Sequence, residues 1–454
     1  MKKILYSLLA FFVLVSVTSC NKLLEVKPET LTGIDEGIQN ASDLQAVLNG
    51  SYDVFRNTHV MGGTAFVAAD VIAQEAYSTS TGFEWGQIKT LNMNLFNPIG
   101  RDIWKNAYLC VQRANVVIDY IDNDKVTLTA EQKKQWKAEA QFIRAVCFYH
   151  LVQFFSLPYD ATKDNTQPGV PLRVEAILAN EFAATKLARA SVEEVYQFVL
   201  TELQSCEANL STTPIYGHVS KDGATAYLAK VYFQMNKMDK AYQYADAIVT
   251  AGNYSLDNNW WAKFASASMD STTHEVIFAM TSSAIAENSG SGYSDSYRTN
   301  KANPPSFGPT DILVSQLKQI NTDQRATQVV LTAGTANVPG VYSSKYNYDY
   351  MIAPVICYNE ILLIHAEAGF ALGSGDPTAD LNAIQTRAGV PLTAASLENI
   401  ASERRKEFAL EGKHFFNLKR LKSNNIHGEG WNSSKLLFQI PDIEQNGNPD
   451  IILN

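Results

Sequence analysis

The sequence predicts a mainly α protein: helical hairpins stacked side by side, carrying long loops and a few short strands. Three observations lead there. In Asp222 to Tyr254, small or apolar residues recur at Ala224, Leu228, Val231, Tyr232 and Met235, three and four apart and therefore on one helical face. Asn236 and Asp239 interrupt that stripe, Asp239 being the expected N-cap, and Ala241, Tyr244, Ala245 and Ile248 begin a second one. Helix start signals then recur along the chain, at Ser42-Asp43-Leu44-Gln45, Thr129-Ala130-Glu131-Gln132 and Ser191-Val192-Glu193-Glu194. Finally, a composition of 46% hydrophobic and 18% charged residues is that of a globular chain with a large core.

The hairpin also has the spacing of a tetratricopeptide unit. Leu228, Ala229 and Tyr232 supply large, small and aromatic positions on its first helix, and Ala241, Ala245 and Ile248 the small, small and large positions on its second. One such pair cannot bury its apolar face alone, so partner helices must lie elsewhere in the chain.

In chain order, Leu44, Leu48, Tyr52 and Phe55 give the first helix a buried face. From Gly62 to Gly100 the periodicity fades, yet the segment holds Tyr77, Phe83, Trp85 and Phe96, and it reads as a loop-rich insertion. Helical period resumes at Arg101 and runs past Ile118. A long helix follows, with Trp136, Ala140, Ile143, Cys147, Leu151 and Phe154 on one stripe. Asp160 to Pro171 is a connector, and Ser191 opens a helix reaching about Asn209. Beyond the hairpin, Glu275 to Met280 reads as a strand within a second loop-rich stretch spanning 255–350. Its portion from Ser282 to Pro309 is too long for a passive connector and holds Tyr293, Tyr297 and Arg298. Helices return at Pro354 to Leu372, after the Asp376-Pro377 cap, and in the ENIASERRKEFALEG segment, where Gly412 is the expected C-cap. In that last helix Glu403, Arg404, Arg405 and Glu407 have the spacing of intrahelical ion pairs.

The N-terminus reads as an export signal. Lys2 and Lys3 precede an apolar run from Ile4 to Val17, which is shorter than the roughly twenty residues of a spanning helix. Val17-Thr18-Ser19-Cys20 looks like a lipobox, with Cys20 as the acylated first residue of the mature chain. The expected organisation is therefore a signal peptide at 1–19 and one domain at 20–454, held to a membrane by lipid alone. A net charge of -9 and a pI near 5.4 leave no basic surplus for nucleic acid. Cys110, Cys147, Cys206 and Cys357 are widely spaced and read as buried thiols.

Catalytic and cofactor signatures are missing. There is no G-x-S-x-G elbow, phosphate-binding glycine loop, C-x-x-C or H-E-x-x-H, and the seven histidines show no ligand spacing. No metal or cofactor is expected, and His150 and His365 read as core histidines. Aromatic residues, 11% of the chain, stand out instead. Flat rings with polar rims suit ligands that present C–H patches beside hydroxyls, as sugars and some peptides do. Trp104, Tyr108, Trp136 and Tyr232 have helical spacing and read as core. Tyr77, Trp85, Tyr293 and Tyr297 remain as candidate platforms, with Arg298 as a polar contact.

Several stretches taken together resemble the SusD/RagB family of bacterial surface lipoproteins. They are VTSCNKLLEVKPET, AEAQFIRAVCFYHLVQFFSLPY, VSKDGATAYLAKVYFQMNKMDKAYQYADAIVTAGNYSL with EVIFAM, YNEILLIHAEA, LNAIQTRAGV, ERRKEFALEGKHFFNLKRL and FQIPDIEQNGNPDIILN, in this order from end to end. The resemblance implies an α-α superhelical scaffold of tetratricopeptide-like hairpins with a loop-rich ligand face, tethered through Cys20 to the outer membrane. It implies no enzymatic activity and a role as lid on a TonB-dependent, SusC-like β-barrel transporter, capturing oligosaccharides or, in some branches, peptides. An anchored glycan hydrolase is the third reading. The segment after Cys20, NKLLEV, lacks a run of acids, so anchoring is better supported than exposure at the cell surface.

Overall fold

The computed structural model describes residues 37–177, 186–213, 217–265, 274–282, 289–299, 305–332, 340–348 and 350–454. Cys20 and the export signal lie outside them. Helices dominate. The scaffold comprises α1 (Ala41–Phe55), α2 (Thr64–Ile72), α3 (Phe83–Lys89), α4 (Pro98–Asp122), α5 (Ala130–Phe155), α6 (Val192–Asn209), α7 (Lys221–Gln234) and α8 (Met238–Ala251). After these come α9 (Ser291–Tyr297), α10 (Asp311–Leu317), α11 (Gln324–Val329), α12 (Tyr358–Leu372), α13 (Pro377–Ala388), α14 (Leu397–Glu407), α15 (Lys413–Arg420) and α16 (Asp442–Gly447).

Neighbours in sequence are neighbours in space. α4 packs on α5, α5 on α6, α6 on α7, α7 on α8, α8 on α12 and α12 on α13, while α1 lies across α4 and α5. This is the stacked-hairpin scaffold that the 222–254 pattern implies. α7 and α8 approach closely because Ala229, Ala241 and Ala245 are wholly buried there. The middle of the stack is α5, whose residues from Ala138 to Phe155 are all buried, as expected of a helix with neighbours on every side. Its Thr129 capping box and the Ser191 box of α6 form as read. The four cysteines are buried free thiols.

Several boundaries differ from the sequence reading. α1 is capped by Asn40, whose side chain accepts from the backbone of Ser42 and Asp43 and so displaces Ser42 from that role. α8 has Lys237 at its N-cap, with Asp239 inside the first turn, because Asn236 takes the left-handed conformation (φ 55°) that ends the preceding turn. The 62–100 stretch is not free of helix but holds α2 and α3. Pro354 to Cys357, read as the start of a helix, lies in strand β4 (Ala353–Cys357), paired antiparallel with β2 (Val276–Met280). Gly412 is not a C-cap. α14 ends at Glu407, and Gly412, at φ 71°, is the N-cap of α15. A Cβ there would meet the backbone of Phe66 at 2.7 Å, so α15 docks on α2 only through glycine.

Candidate functional site

The loop-rich segments meet at one end of the stack, around α2 and α9. Glycines allow the contact: Gly292 N donates to Gly62 O at 2.9 Å, and a Cβ on Gly63 (φ 120°) would meet Tyr293 N at 2.5 Å. With the two backbones this close, Tyr293 lies parallel to Phe66 at 6.3 Å and to Tyr346 at 4.9 Å. The row continues from Tyr346 to Tyr297 at 5.5 Å, from Tyr297 to Phe307 at 6.2 Å and from Phe307 to Trp85 at 4.6 Å. Tyr77 joins through the short sheet, where β1 (Ala76–Ser78) pairs with β3 (Phe307–Pro309) and Tyr77 stands opposite Gly308. Segments 200 residues apart in sequence thus supply one continuous line of rings, from the interior outward.

Its inner and outer ends do different work. Tyr293 is 6% exposed and Tyr297 is 0% exposed, which corrects the expectation that both present a face to ligand. The reason is the helix. Residues 293 and 297 are four apart in α9 and turn inward together onto α2. Tyr297 donates to Asp70 Oδ2 at 3.1 Å, and Asp70 Oδ1 accepts from Gly412 N at 2.9 Å. Burial and, next, the Glu75 carboxylate push Asp70 well above the ordinary carboxylate range. These rings back Phe307 and, through it, Trp85 from the interior.

Tyr77 and Trp85 are half-buried at the outer end. The Tyr77 hydroxyl donates to Val341 O at 2.9 Å, and burial, with Tyr342 nearby, raises it to about 12. Arg298 is half-buried at the end of α9. Phe83 and Phe96, named from sequence with Tyr77 and Trp85 but not put forward as platforms, are 58% and 60% exposed. Asn97 Nδ2 donates to Glu84 O at 3.1 Å and to Gln87 Oε1 at 2.9 Å, which holds the residue after Phe96 against α3, the helix carrying Phe83 and Trp85. Two large apolar rings in a segment without period were the available signal, since nothing there could have buried them on a regular face.

Behind the rings lies a charged interior. Glu411 takes Lys345 at 2.6 Å and Lys263 at 3.0 Å, while Glu360 takes Lys413 at 2.8 Å, Lys230 at 3.3 Å and Arg404 at 3.6 Å. Burial alone would raise Glu360, but the three cations hold it near 2. Farther on, Arg325 meets Asp323, Glu403 and Glu407, and Arg387 joins Glu407 to Glu275. The charges of α14, read as intrahelical pairs, thus reach partners up to 330 residues away, Arg405 to Glu75 among them. A cavity of about 40 Å³ separates these charges from Tyr293 and His150, enough for ordered water. Among the described residues, no group of three or more His, Cys, Asp or Glu side chains is placed to hold a metal ion. No helix there is long and apolar enough to cross a membrane.

The fold is thus a stack of helices with a row of loop-borne rings set against it. Residues 22–233 match the family described as "Starch-binding associating with outer membrane", and residues 312–448 match the SusD family. The chain belongs to the SusD/RagB family. It is similar to SusD-like protein P2 of Formosa agariphila, 24% identical, with 94% of this chain and 92% of that one aligned. Against SusD-like protein P25 of the same organism it is 23% identical over 55% of its own length, and spans about half, 46%, of that relative. A solved structure titled "Laminarin binding SusD-like protein" superposes with a TM-score of 0.75 over 92% of this chain and 99% of the other, at 22% identity, which shows the shared fold.

Proposed function

We propose that this protein is a lipid-anchored outer-membrane protein that captures a glycan at the outer end of the aromatic row and passes it to a TonB-dependent, SusC-like β-barrel transporter. Trp85 and Tyr77 act as platforms in this reading, Phe83 and Phe96 widen them, and Arg298 is the polar contact. Tyr293 and Tyr297 fix their position. The observation that carries the reading is the concentration of partly and fully exposed rings at the one end of the stack where the loop insertions converge. Stacking on sugar C–H faces uses such rings. The family description and the neighbour named for laminarin binding support a glycan as the ligand class. Anchoring through Cys20 and the transporter partner rest on the family resemblance.

Isothermal titration against starch- and laminarin-derived oligosaccharides tests the reading. Trp85→Ala is expected to weaken binding of the preferred oligosaccharide about tenfold, or about 1.4 kcal/mol. Equal affinity in Trp85→Ala, Tyr77→Ala and Phe83→Ala would remove the row from the ligand site. Incubation with the same polysaccharides is expected to release no new reducing ends.

A further inference from the structure

A second opening lies where the end of α1 meets the approach to α7. Asn49, Tyr52, Asp53 and Arg56 line one side of it, and Gly217, His218, Met280 and Thr281 the other, around a groove of about 270 Å³. Beneath it is a buried carboxylate on α5. Glu139 Oε2 accepts from His218 Nδ1 at 2.6 Å and from the Tyr52 hydroxyl at 2.9 Å, while Oε1 accepts from Gln135 Nε2 at 2.8 Å. This arrangement fixes the imidazole. Nδ1–H points inward to Glu139, and Nε2, on the opposite edge of a ring that is 27% exposed, has no hydrogen-bond partner among the described residues.

Charge decides what such a groove selects. Arg56 Nε and Nη2 both reach Asp53 Oδ1, at 2.9 and 2.7 Å, so these two lining charges oppose each other. When its ring is protonated, His218 is balanced by Glu139 in the same way. With no surplus of either sign, the lining does not favour an anion or a cation. It offers hydrogen bonding of both polarities: the Asp53 carboxylate accepts, the Asn49 amide and Thr281 hydroxyl do both, and His218 Nε2 does either according to protonation. A small ring bearing several neutral hydroxyls matches that mixture, and the volume is close to the lower end, roughly 300 Å³, of small-molecule sites. The groove is also next to the aromatic row. The turn from Arg56 to Gly63 joins them, with Arg56 on the groove and Gly63 against Tyr293.

We propose that this groove is a second saccharide contact, taking one neutral sugar ring through its hydroxyls, with His218 Nε2 as the central partner. The inference rests on the glycan reading above but on different residues. Histidine-ring nitrogen–proton correlation spectra of the full chain test it, with maltohexaose and laminarihexaose as probes and galacturonate and hexaglycine as controls. The expected result is a saturable shift of the His218 ring signals with a neutral oligosaccharide. Asn49→Ala, at an exposed position, and Thr281→Val are expected to raise the concentration giving half that shift about tenfold, while leaving the unliganded His218 signals in place. Silence of His218 with both oligosaccharides, or a response to galacturonate or hexaglycine alone, overturns the proposal. The Trp85→Ala variant separates the two readings: calorimetric affinity unchanged from the parent, together with a saturable His218 shift, removes the aromatic row and keeps the groove. Loss of calorimetric binding in Trp85→Ala with a silent His218 in the parent does the reverse.

Discussion

The two ends of the chain's interior are built from opposite materials. Around α12, α14 and α15 the enclosed space is filled by ions: Glu360, Glu407 and Glu411 against Lys230, Lys263, Lys345, Arg387, Arg404 and Lys413. Around α2 and α9 it is filled by rings, with Asp70 as a buried carboxylate that has no cation within ion-pair distance among the described residues. Ions tolerate little change, because each depends on several partners. Rings tolerate more, since a neighbour can shift to fill space. The difference teaches where this family member can vary without losing its fold: at the rings, outward from Tyr346.

Breaking the ionic side gives the largest expected effect. Glu407→Ala removes the carboxylate that Arg387, Arg325 and Asn359 share, leaving Arg387 with Glu275 and Arg325 with Asp323 and Glu403, and breaking a buried charged network of this kind costs about 3–5 kcal/mol. Urea unfolding measures it, and a loss below about 1 kcal/mol would mean that water reaches the cluster. Gly412→Ala comes next, at about 2–3 kcal/mol, since it forces a side chain into a left-handed conformation and against Phe66. That variant strikes the seam between ions and rings, so it is also expected to weaken oligosaccharide binding, whereas Glu407→Ala, assayed where it remains folded, is not.

The smallest effect is in pH. Burial pushes His150 down to about 3, so the folded state refuses a proton that the unfolded chain accepts near pH 6.5. A depressed histidine of this kind contributes stability above the unfolded value and loses it as pH falls from about 6.5 toward 3. Between pH 7 and 5 this residue alone is expected to cost roughly 2 kcal/mol. Comparing urea midpoints of the parent and His150→Phe at both pH values checks the sign. The variant should show the shallower fall, and an equal or steeper one would place the titration elsewhere.

Local features of the scaffold were legible because they depend on neighbours in sequence. Thr129 and Ser191 cap their helices as their spacing demands, and the Ala241, Ala245 and Ile248 stripe packs as its period requires. What misled was non-local. Ala353 to Cys357 is apolar in a way that suits helix or buried strand, and only β2, some 75 residues earlier, decides between them. Glu403 and Arg404 have intrahelical spacing, but Arg325 and Glu360 offer buried partners that a solvated helix face cannot match. Around α2 and α9, the rings were identifiable as a group but not their depth. The four-residue interval between Tyr293 and Tyr297 was the overlooked clue, because it put both on the same side of a short helix.

The hydrogen bond from Gly412 to Asp70 spans 342 residues, and the contact of Arg405 with Glu75 spans 330. The ring-bearing region therefore closes onto a segment made more than 300 residues after it. Contacts this distant are slow to form, because the long intervening loop must be ordered before they repay its entropy. An emerging chain has most of its helical hairpins in hand well before the region around the rings can close. A chain stopped before Arg405 is expected to bind a dye that reports exposed apolar surface while keeping much of its helical circular dichroism.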